Sequence, residues 1–490
     1  MSIIKENRIM FEKLATHVFA PLERDNDNKI ILSSIIASTS AWQSFPGFYC
    51  HPEMEEILYQ IARKIQYHTK DFKYYIPSSI EDSRRILHVF STTYAVGGHT
   101  KVAERWMKNK LRNERHAIVI TNQKELGNSY PVPAWLIQAT EEAGGVCIEI
   151  EDSYSMVDRA AALRSIAYEW ADLIVLHIHP NDPIPLIAFG VPGGPPVLFL
   201  NHADHVFWLG SGVADVVLDI RESGNLLTHS KRFARNATVL PLPLDEVKIK
   251  DKKYFRERLG IHKDQTVLLS IASSYKYEPI GEYNFIKSSI ELLKRNPDII
   301  LLVVGPSAQH PLWQNAYNES EGKIIATGTQ NDLVPFYSVA DIYLESFPVG
   351  SATAALDACL YGIPVVKSPS PLSPLFSMSN YDGMKEHASN FEDYFLQIEE
   401  YINNSEYRVS CGITQKQDVE KNHVGASWNN KLEKVMSNVP KSHIVGFGNN
   451  LKESDNFVGD HDAVLSILNQ HKQRLLQDAY IKHYFPQILF

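Results

Sequence analysis

Little in this 490-residue chain points to covalent cross-linking or to insertion in a bilayer. Its four cysteines, Cys50, Cys147, Cys359 and Cys411, are widely scattered and form no CxxC pair. That argues against a disulfide framework or a thiolate zinc site and suits reduced, buried thiols in a cytosolic chain. Long apolar runs are missing as well. Ile299 to Val304 ranks among the longest, far short of the roughly 20 residues that a spanning helix needs. The opening MSIIKENRIMFEK is charged throughout, without the apolar stretch of a signal peptide. A cytoplasmic protein with no membrane span is the expectation. Basic density is also low: the net charge is −9, which argues against a nucleic-acid partner. Lys231, Arg232 and Arg235 make only a local positive spot, suited to a small anion.

What is present is a hydrophobic content of 44% in short, regularly spaced runs, enough for two or three domains. Residues 1–82 are helix-leaning and aromatic and read as an N-terminal helical extension. Its Trp42, Phe45, Phe48 and Tyr49 suit either contact with an acceptor or protein partner, or a structural cap. From residue 83 to 245 strands and helices alternate. Ile86–Ser91, His116–Thr121, Val146–Ile150, Leu173–His179 and Pro196–His202 are the expected strands. A second series occupies 246–440, with strands at Thr266–Ser273, Ile299–Gly305, Lys323–Gly328, Asp341–Ser346 and Pro364–Ser368. The pattern predicts an α/β protein of two facing Rossmann-like domains, joined near residues 240–250. Residues 441–490 form a tail that starts polar and ends as an apparent helix packing back.

Ligands of open parallel sheets sit beyond the carboxyl ends of the strands, so the loops there carry the chemistry. The segment from Ala340 to Val366 is the most informative. A strand leads into a Pro/Gly/Ser/Thr turn, and a helix opens near Thr353. Such a turn aims backbone N–H groups and a helix N-terminus at one point, which suits a diphosphate. Gly350, Ser351, Ala352 and Thr353 form the turn, and Asp357 lies one helical turn on, where it could meet ribose hydroxyls. An ordinary βα turn that binds nothing is the alternative. Ser274 and Lys276 follow the first strand of this half and offer a cation for the same phosphates, or a solvent lysine. Gly328, Thr329 and Gln330 offer backbone groups that could read a nucleobase edge.

In the first half, Gly98 and His99 open a helix after the first strand, within GGHT rather than a GxGxxG fingerprint. His99 there is a general base or a helix-start cap. Asn201, His202, Asp204 and His205 crowd the end of another strand. They suit hydrogen bonding to a hydroxylated ligand, metal ligation or structural capping.

SSYKYEP, GTQNDLVPFYSVADIYLESFP and GSATAALDACLYGIPVV together make the second half resemble the nucleotide-sugar domain of GT-B-fold glycosyltransferases, closest to the O-GlcNAc-transferase-like branch. The resemblance spans about residues 262–370, and GGHT and NHADH extend it loosely into the first half. It implies that Lys276 meets the donor diphosphate, that Ser351 and Thr353 bind phosphate, and that Asp357 binds ribose. It implies a UDP-sugar co-substrate with no other cofactor, no metal, and a glycan, protein or other acceptor. His99, Asp204 and His205 are then the catalytic candidates. Ser351-Ala352-Thr353 replaces the family's consecutive threonines, and Val349 stands where many retaining members carry a glutamate. A catalytically inactive subunit supporting another transferase, and an epimerase or phosphorylase sharing the cleft, are the competing expectations.

Overall fold

The computed structural model describes residues 3–19, 27–65, 74, 76, 83–95, 98–123, 131–247, 251–369 and 388–448. The chain divides into two compact units. One runs from Met1 to Pro243 and is rejoined from Asn429 onward; the other is Leu244–Trp428.

The first unit begins with three helices, α1 (Ile3–Phe19), α2 (Asp27–Ser44) and α3 (Pro52–Lys64). Seven strands follow: β1 (Arg84–Phe90), β2 (Glu114–Ile120), β3 (Cys147–Glu149), β4 (Leu173–His177), β5 (Val197–Asn201), β6 (Val216–Asp219) and β7 (Ala237–Val239). Between them lie α4 (Gly98–Lys108), α5 (Ala134–Glu142), α6 (Met156–Trp170), α7 (Ile184–Phe189) and α8 (Glu222–Lys231). The strands pair in parallel in the order β3-β2-β1-β4-β5-β6-β7. Helices on both faces explain why β2, β4, β5 and β6 are buried along their whole length.

The opening helices are core, not an appendage. Phe11, Ile31, Leu58 and Tyr59 belong to the same apolar cluster as Leu87, Val89 and Leu176 of the sheet. Phe45 and Tyr49 are buried against each other, and Phe48 packs on Phe11 and Phe207 at centroid distances of 4.9 and 5.9 Å. Three of these four aromatics, read as either a partner contact or a structural cap, are therefore spent on internal packing. Glu55 of α3 accepts bonds from the N–H groups of Gly210 (2.8 Å) and Gly212 (2.9 Å) and from the Tyr59 hydroxyl (2.6 Å). Arg164 of α6 donates to the carbonyls of Ala62 (2.9 Å), Ile187 (2.8 Å) and Ala188 (2.6 Å). Buried charge is tolerated there because its hydrogen-bonding capacity is met.

The second unit holds α9 (Lys252–Arg258), β8 (Thr266–Ile271), α10 (Phe285–Arg295), β9 (Ile299–Val304), α11 (Pro311–Glu319) and β10 (Ile324–Ala326). It continues with α12 (Val334–Val339), β11 (Ile342–Leu344), α13 (Ala352–Leu360), β12 (Val365–Val366), α14 (Phe391–Asn403) and α15 (Ser405–His423). α16 (Gly425–Ser437) carries the chain back into the first unit. The parallel sheet order is β10-β9-β8-β11-β12. Gly305, at φ +120°, ends β9 where a Cβ would stand 2.0 Å from the Ala272 carbonyl oxygen, so only glycine fits. After α16, His443 bonds Asp215 (2.7 Å) and the Phe189 carbonyl (2.7 Å). The expected C-terminal helix lies outside the described residues.

Candidate functional site

Both sheets reverse strand order once, which is where ligands of open parallel sheets bind. In the second unit the reversal falls between β8 and β11, the first and fourth strands of that series. Register pairs Ile342 with Leu268, so the loops after the two strands emerge side by side. One loop is a 3₁₀ turn, Ser274–Tyr277. Its Tyr277 is buried, sits edge-on to Phe285 and Trp313, and bonds the Ser270 hydroxyl at 3.0 Å. That anchor fixes the half-buried Lys276, whose Nζ donates to the Gly350 carbonyl at 2.8 Å. The Val349 N–H reaches the Lys276 carbonyl at 3.4 Å, so the loops are tied at two points.

The helix that starts there is α13, with Ser351 as N-cap. The Ser351 side chain makes no capping bond, and Ser351, Ala352 and Thr353 are partly exposed. The first N–H groups of α13 thus gather beside an ammonium group without a side-chain oxygen over them. Asp357, also partly exposed, lies one turn further. Ser274 is exposed at the rim. The structure brings Ser274, Lys276, Gly350, Ser351, Ala352, Thr353 and Asp357 to one edge.

The β10 turn differs from expectation. The Gly328 N–H donates to the Pro306 carbonyl at 2.8 Å, and its own carbonyl accepts from Gly305 at 2.9 Å. Gln330 turns its amide back to the Thr327 carbonyl at 2.7 Å, while Thr329 is exposed. The backbone of Gly328 is therefore spent on closing the turn rather than presented to a base. Two residues of this edge escaped sequence reasoning. Glu345 and Lys367 extend the β11–β12 register beyond Leu344 and Val366 and are both buried. Burial lowers the Lys367 pKa, and the Glu345 carboxyl beside it opposes that fall. A charged residue directly after a short apolar strand, at both positions, was the available signal.

In the first unit the reversal lies between β1 and β4. His99, in the first turn of α4 next to Gly98, meets residues from the loops after β4 and β5. Its ring centroid is 4.3 Å from His202 and 6.2 Å from His179, and the Tyr94 hydroxyl bonds His179 Nε2 at 3.1 Å. His99 Nε2 donates to the His177 carbonyl at 3.1 Å, while its Nδ1 is sealed from solvent without a partner. Burial, then the neighbouring His202 and His179, push the His99 pKa well below the ordinary value. Burial likewise takes His202 down to about 4 and His179 down to about 3. These rings are neutral at neutral pH.

Asp204 is not placed as a base. Burial would raise its pKa, but the Arg221 guanidinium grips both carboxylate oxygens at 2.6 Å and holds it well below the usual carboxylate range. What Asp204 does is orient His205, whose Nδ1 lies 3.3 Å from Oδ1. The carboxylate fixes Nδ1 as a protonated nitrogen of that ring. His205 is 26% exposed at its side chain, so it can reach a ligand. Sequence reasoning paired Asp204 with His205 but could not see Arg221, which lies in the next βα unit. Among the described residues, no cluster of three or more His, Cys, Asp or Glu is arranged to hold a metal ion. No helix there is long and apolar enough to cross a membrane.

The chain matches no protein-family model and no curated protein sequence. Solved structures do match. A glycosyltransferase from Rickettsia africae aligns over 72% of this chain and 98% of its own, with TM-score 0.55 and 13% identity. HepE from Anabaena, solved with UDP and glucose, aligns over 72% of this chain and 99% of its own at TM-score 0.54 and 13% identity. The fold is GT-B. Sucrose-phosphate synthase from Thermosynechococcus elongatus has the same fold, at TM-score 0.52 and 11% identity over 72% of this chain and 98% of its own. At such identities the likeness fixes the fold, and no branch within it.

Proposed function

We propose that this chain is a metal-independent glycosyltransferase that moves a hexosyl or N-acetylhexosaminyl group from a UDP-linked donor to a hydroxyl or amide acceptor. The observation that carries the reading is the 2.8 Å bond between Lys276 and the Gly350 carbonyl, which holds an ammonium group beside the uncapped start of α13. That HepE, of the same fold, was solved with UDP and glucose supports the choice of donor.

When the bond between the anomeric carbon and the diphosphate breaks, negative charge builds on the departing phosphate. Lys276 and the N–H groups from Ser351 to Thr353 are suited to receive that charge, and Asp357 to hold ribose hydroxyls. The acceptor's proton needs a base. His205, oriented by Asp204, is the better candidate, because His99 has one nitrogen bonded and the other sealed. His99 then serves as a wall of the acceptor side. The decisive experiment measures UDP binding and sugar transfer with and without a chelator, in the wild type and in Lys276→Met. Binding and transfer that survive chelation but vanish in Lys276→Met support the reading. Equal affinity in both proteins sinks it.

The commitment of His99 and Asp204 to internal partners also favours a second reading, in which the chain binds a nucleotide sugar without transferring it. Slow hydrolysis of the donor by the purified chain decides against that alternative.

A further inference from the structure

The residues that follow β11 and β12 are polar and buried, which the transfer reading leaves unexplained. Glu345 and Ser346 follow one strand, Lys367 and Ser368 the other, and none of the four is more than 5% exposed. The Glu345 N–H donates to the Val366 carbonyl at 3.0 Å, which carries the parallel ladder one step beyond the Leu344–Val366 pair. Glu345 and Lys367 therefore stand side by side on neighbouring strands, with their side chains on one face. A carboxylate and an ammonium group so placed out of water pair with each other, since burial of either charge alone is costly. Of the groups around Lys367, the Glu345 carboxylate does most to keep it charged.

The pair stands at the foot of the turn that builds the donor edge. That turn, Ser346–Gly350, leaves the sheet at Glu345 and enters α13 at its N-cap, Ser351. Within it the Ser346 hydroxyl donates to the Val349 carbonyl at 2.9 Å. Its far end holds Lys276 twice, through the Val349 N–H and the Gly350 carbonyl. Lys367 also lies near α13: burial pushes the Cys359 thiol up to about 12, and the Lys367 ammonium pulls against that rise. One cation thus stands between the strand before the turn and the helix after it. Gln415 already fastens β12 to α13, accepting from the Val365 N–H (2.8 Å) and the Cys359 thiol (3.7 Å). A buried ion pair is seldom more stabilising than apolar side chains of the same volume, so stability alone does not account for it.

We propose that Glu345 and Lys367 are positioning residues of the donor site, which fix the Ser346–Gly350 turn where it holds Lys276. The inference rests on the transfer reading, and the two residues act through Lys276. Apolar side chains would fill the same space without setting the direction of Glu345. Lys276 is needed most as charge builds on the departing phosphate, so a displaced turn should lower turnover more than donor affinity.

Steady-state transfer, urea unfolding and a crystal structure of the full-length double variant Glu345→Leu/Lys367→Leu test it, beside the exchanged pair Glu345→Lys/Lys367→Glu. The double variant leaves no unpaired charge in the interior, so its unfolding should stay near that of the wild type. Its kcat should fall at least about tenfold while KM for the donor changes less than about twofold, and the exchanged pair should recover most of kcat. In the crystal the Gly350 carbonyl should have left Lys276 Nζ. An unchanged Lys276–Gly350 contact, wild-type kcat, or a fall in kcat that follows lost stability and is not recovered by the exchange would overturn the proposal. If the double variant does not fold, Glu345→Gln carries the same readouts. A wild type without transfer sinks the transfer reading instead, and the Lys276–Gly350 contact in the variant still decides whether the pair positions the turn.

Discussion

At the carboxyl edge of the seven-stranded sheet, charged side chains are tied to other side chains. At the same edge of the five-stranded sheet, the key cation is tied to the backbone and the helix start is left uncapped. Asp204 is clamped by Arg221. Asp182 accepts from Ser91 (2.6 Å) and Thr121 (2.9 Å), and Asp219 from Asn201 (2.6 Å) and Thr228 (2.9 Å). In the second unit Lys276 rests on the Gly350 carbonyl, and Ser351 caps nothing. The difference teaches where stability and ligand chemistry are stored. A side-chain network at the first edge is costly to cut and slow to rearrange, whereas a backbone-held lysine can exchange one oxygen for another.

The sharpest way to break that contrast is to cut the network. Arg221→Leu leaves the Asp204 carboxylate buried without its counter-charge, which should cost about 3–5 kcal/mol of stability. Urea unfolding followed by tryptophan fluorescence measures it, and a loss below about 1 kcal/mol would mean that the pair holds nothing. Lys276→Met should do the reverse. Its effect on unfolding should stay under about 1 kcal/mol, while transfer falls at least about a hundredfold, close to 3 kcal/mol of transition-state stabilisation.

Acid should discriminate as well. Seven histidines of the first unit, His51, His88, His99, His116, His177, His179 and His202, have pKa values lowered chiefly by burial. An unfolded chain binds protons at these rings below pH ~6.5, and the folded chain does not. Their contribution is thus complete above that pH and drains away as pH falls, by up to ~1.4 kcal/mol per unit for each ring. The drain continues toward pH 4 for His202 and pH 3 for His179. Asp219, raised to about 6 by burial, and Asp182 and Glu55, also raised by burial, work the other way as pH falls. Seven rings outweigh these three carboxyls, so the first unit should melt before the second on acidification. Hydrogen exchange read separately in the two sheets checks this order.

Much of the second unit was legible because its signals are local. The strand ends, the Pro/Gly/Ser turn and the lysine just past β8 each lie within a few residues of what they do. Sheet order then joins Lys276 to Ser351, as the matched spacing of the two turns suggested. The first unit hid more. β6 and β7 were not foreseen: VVLD lies inside a short apolar stretch without helical partners on both sides, and ATV is a three-residue edge strand, only half-buried. α2 was read as part of an extension, yet it is buried along nearly its whole length, which its Ile and Ser residues on every face permit. The contacts of His88 with His116 and His177 were invisible until the sheet set β1 between β2 and β4, because one histidine per strand reads as an isolated polar residue. Arg221 stayed hidden for the same reason, being distant in sequence from the aspartate it neutralises.

The smallest effect separates the two kinds of helix start within one unit. Asn390 caps α14 by accepting the Asp393 N–H at 2.9 Å, whereas Ser351 accepts nothing at the start of α13. Asn390→Ala should therefore cost about 1 kcal/mol, the usual loss for a working cap. Ser351→Ala should leave stability within about 0.5 kcal/mol, because no bond is removed. If α13 keeps its first N–H groups for phosphate, Ser351→Ala must still weaken UDP binding, since the hydroxyl is then lost from the ligand rather than from the helix. Calorimetric titration of UDP beside the two unfolding curves tests the pair of claims together. A Ser351→Ala protein that loses as much stability as Asn390→Ala, with unchanged affinity for UDP, would make Ser351 a structural cap and close the distinction between the two edges.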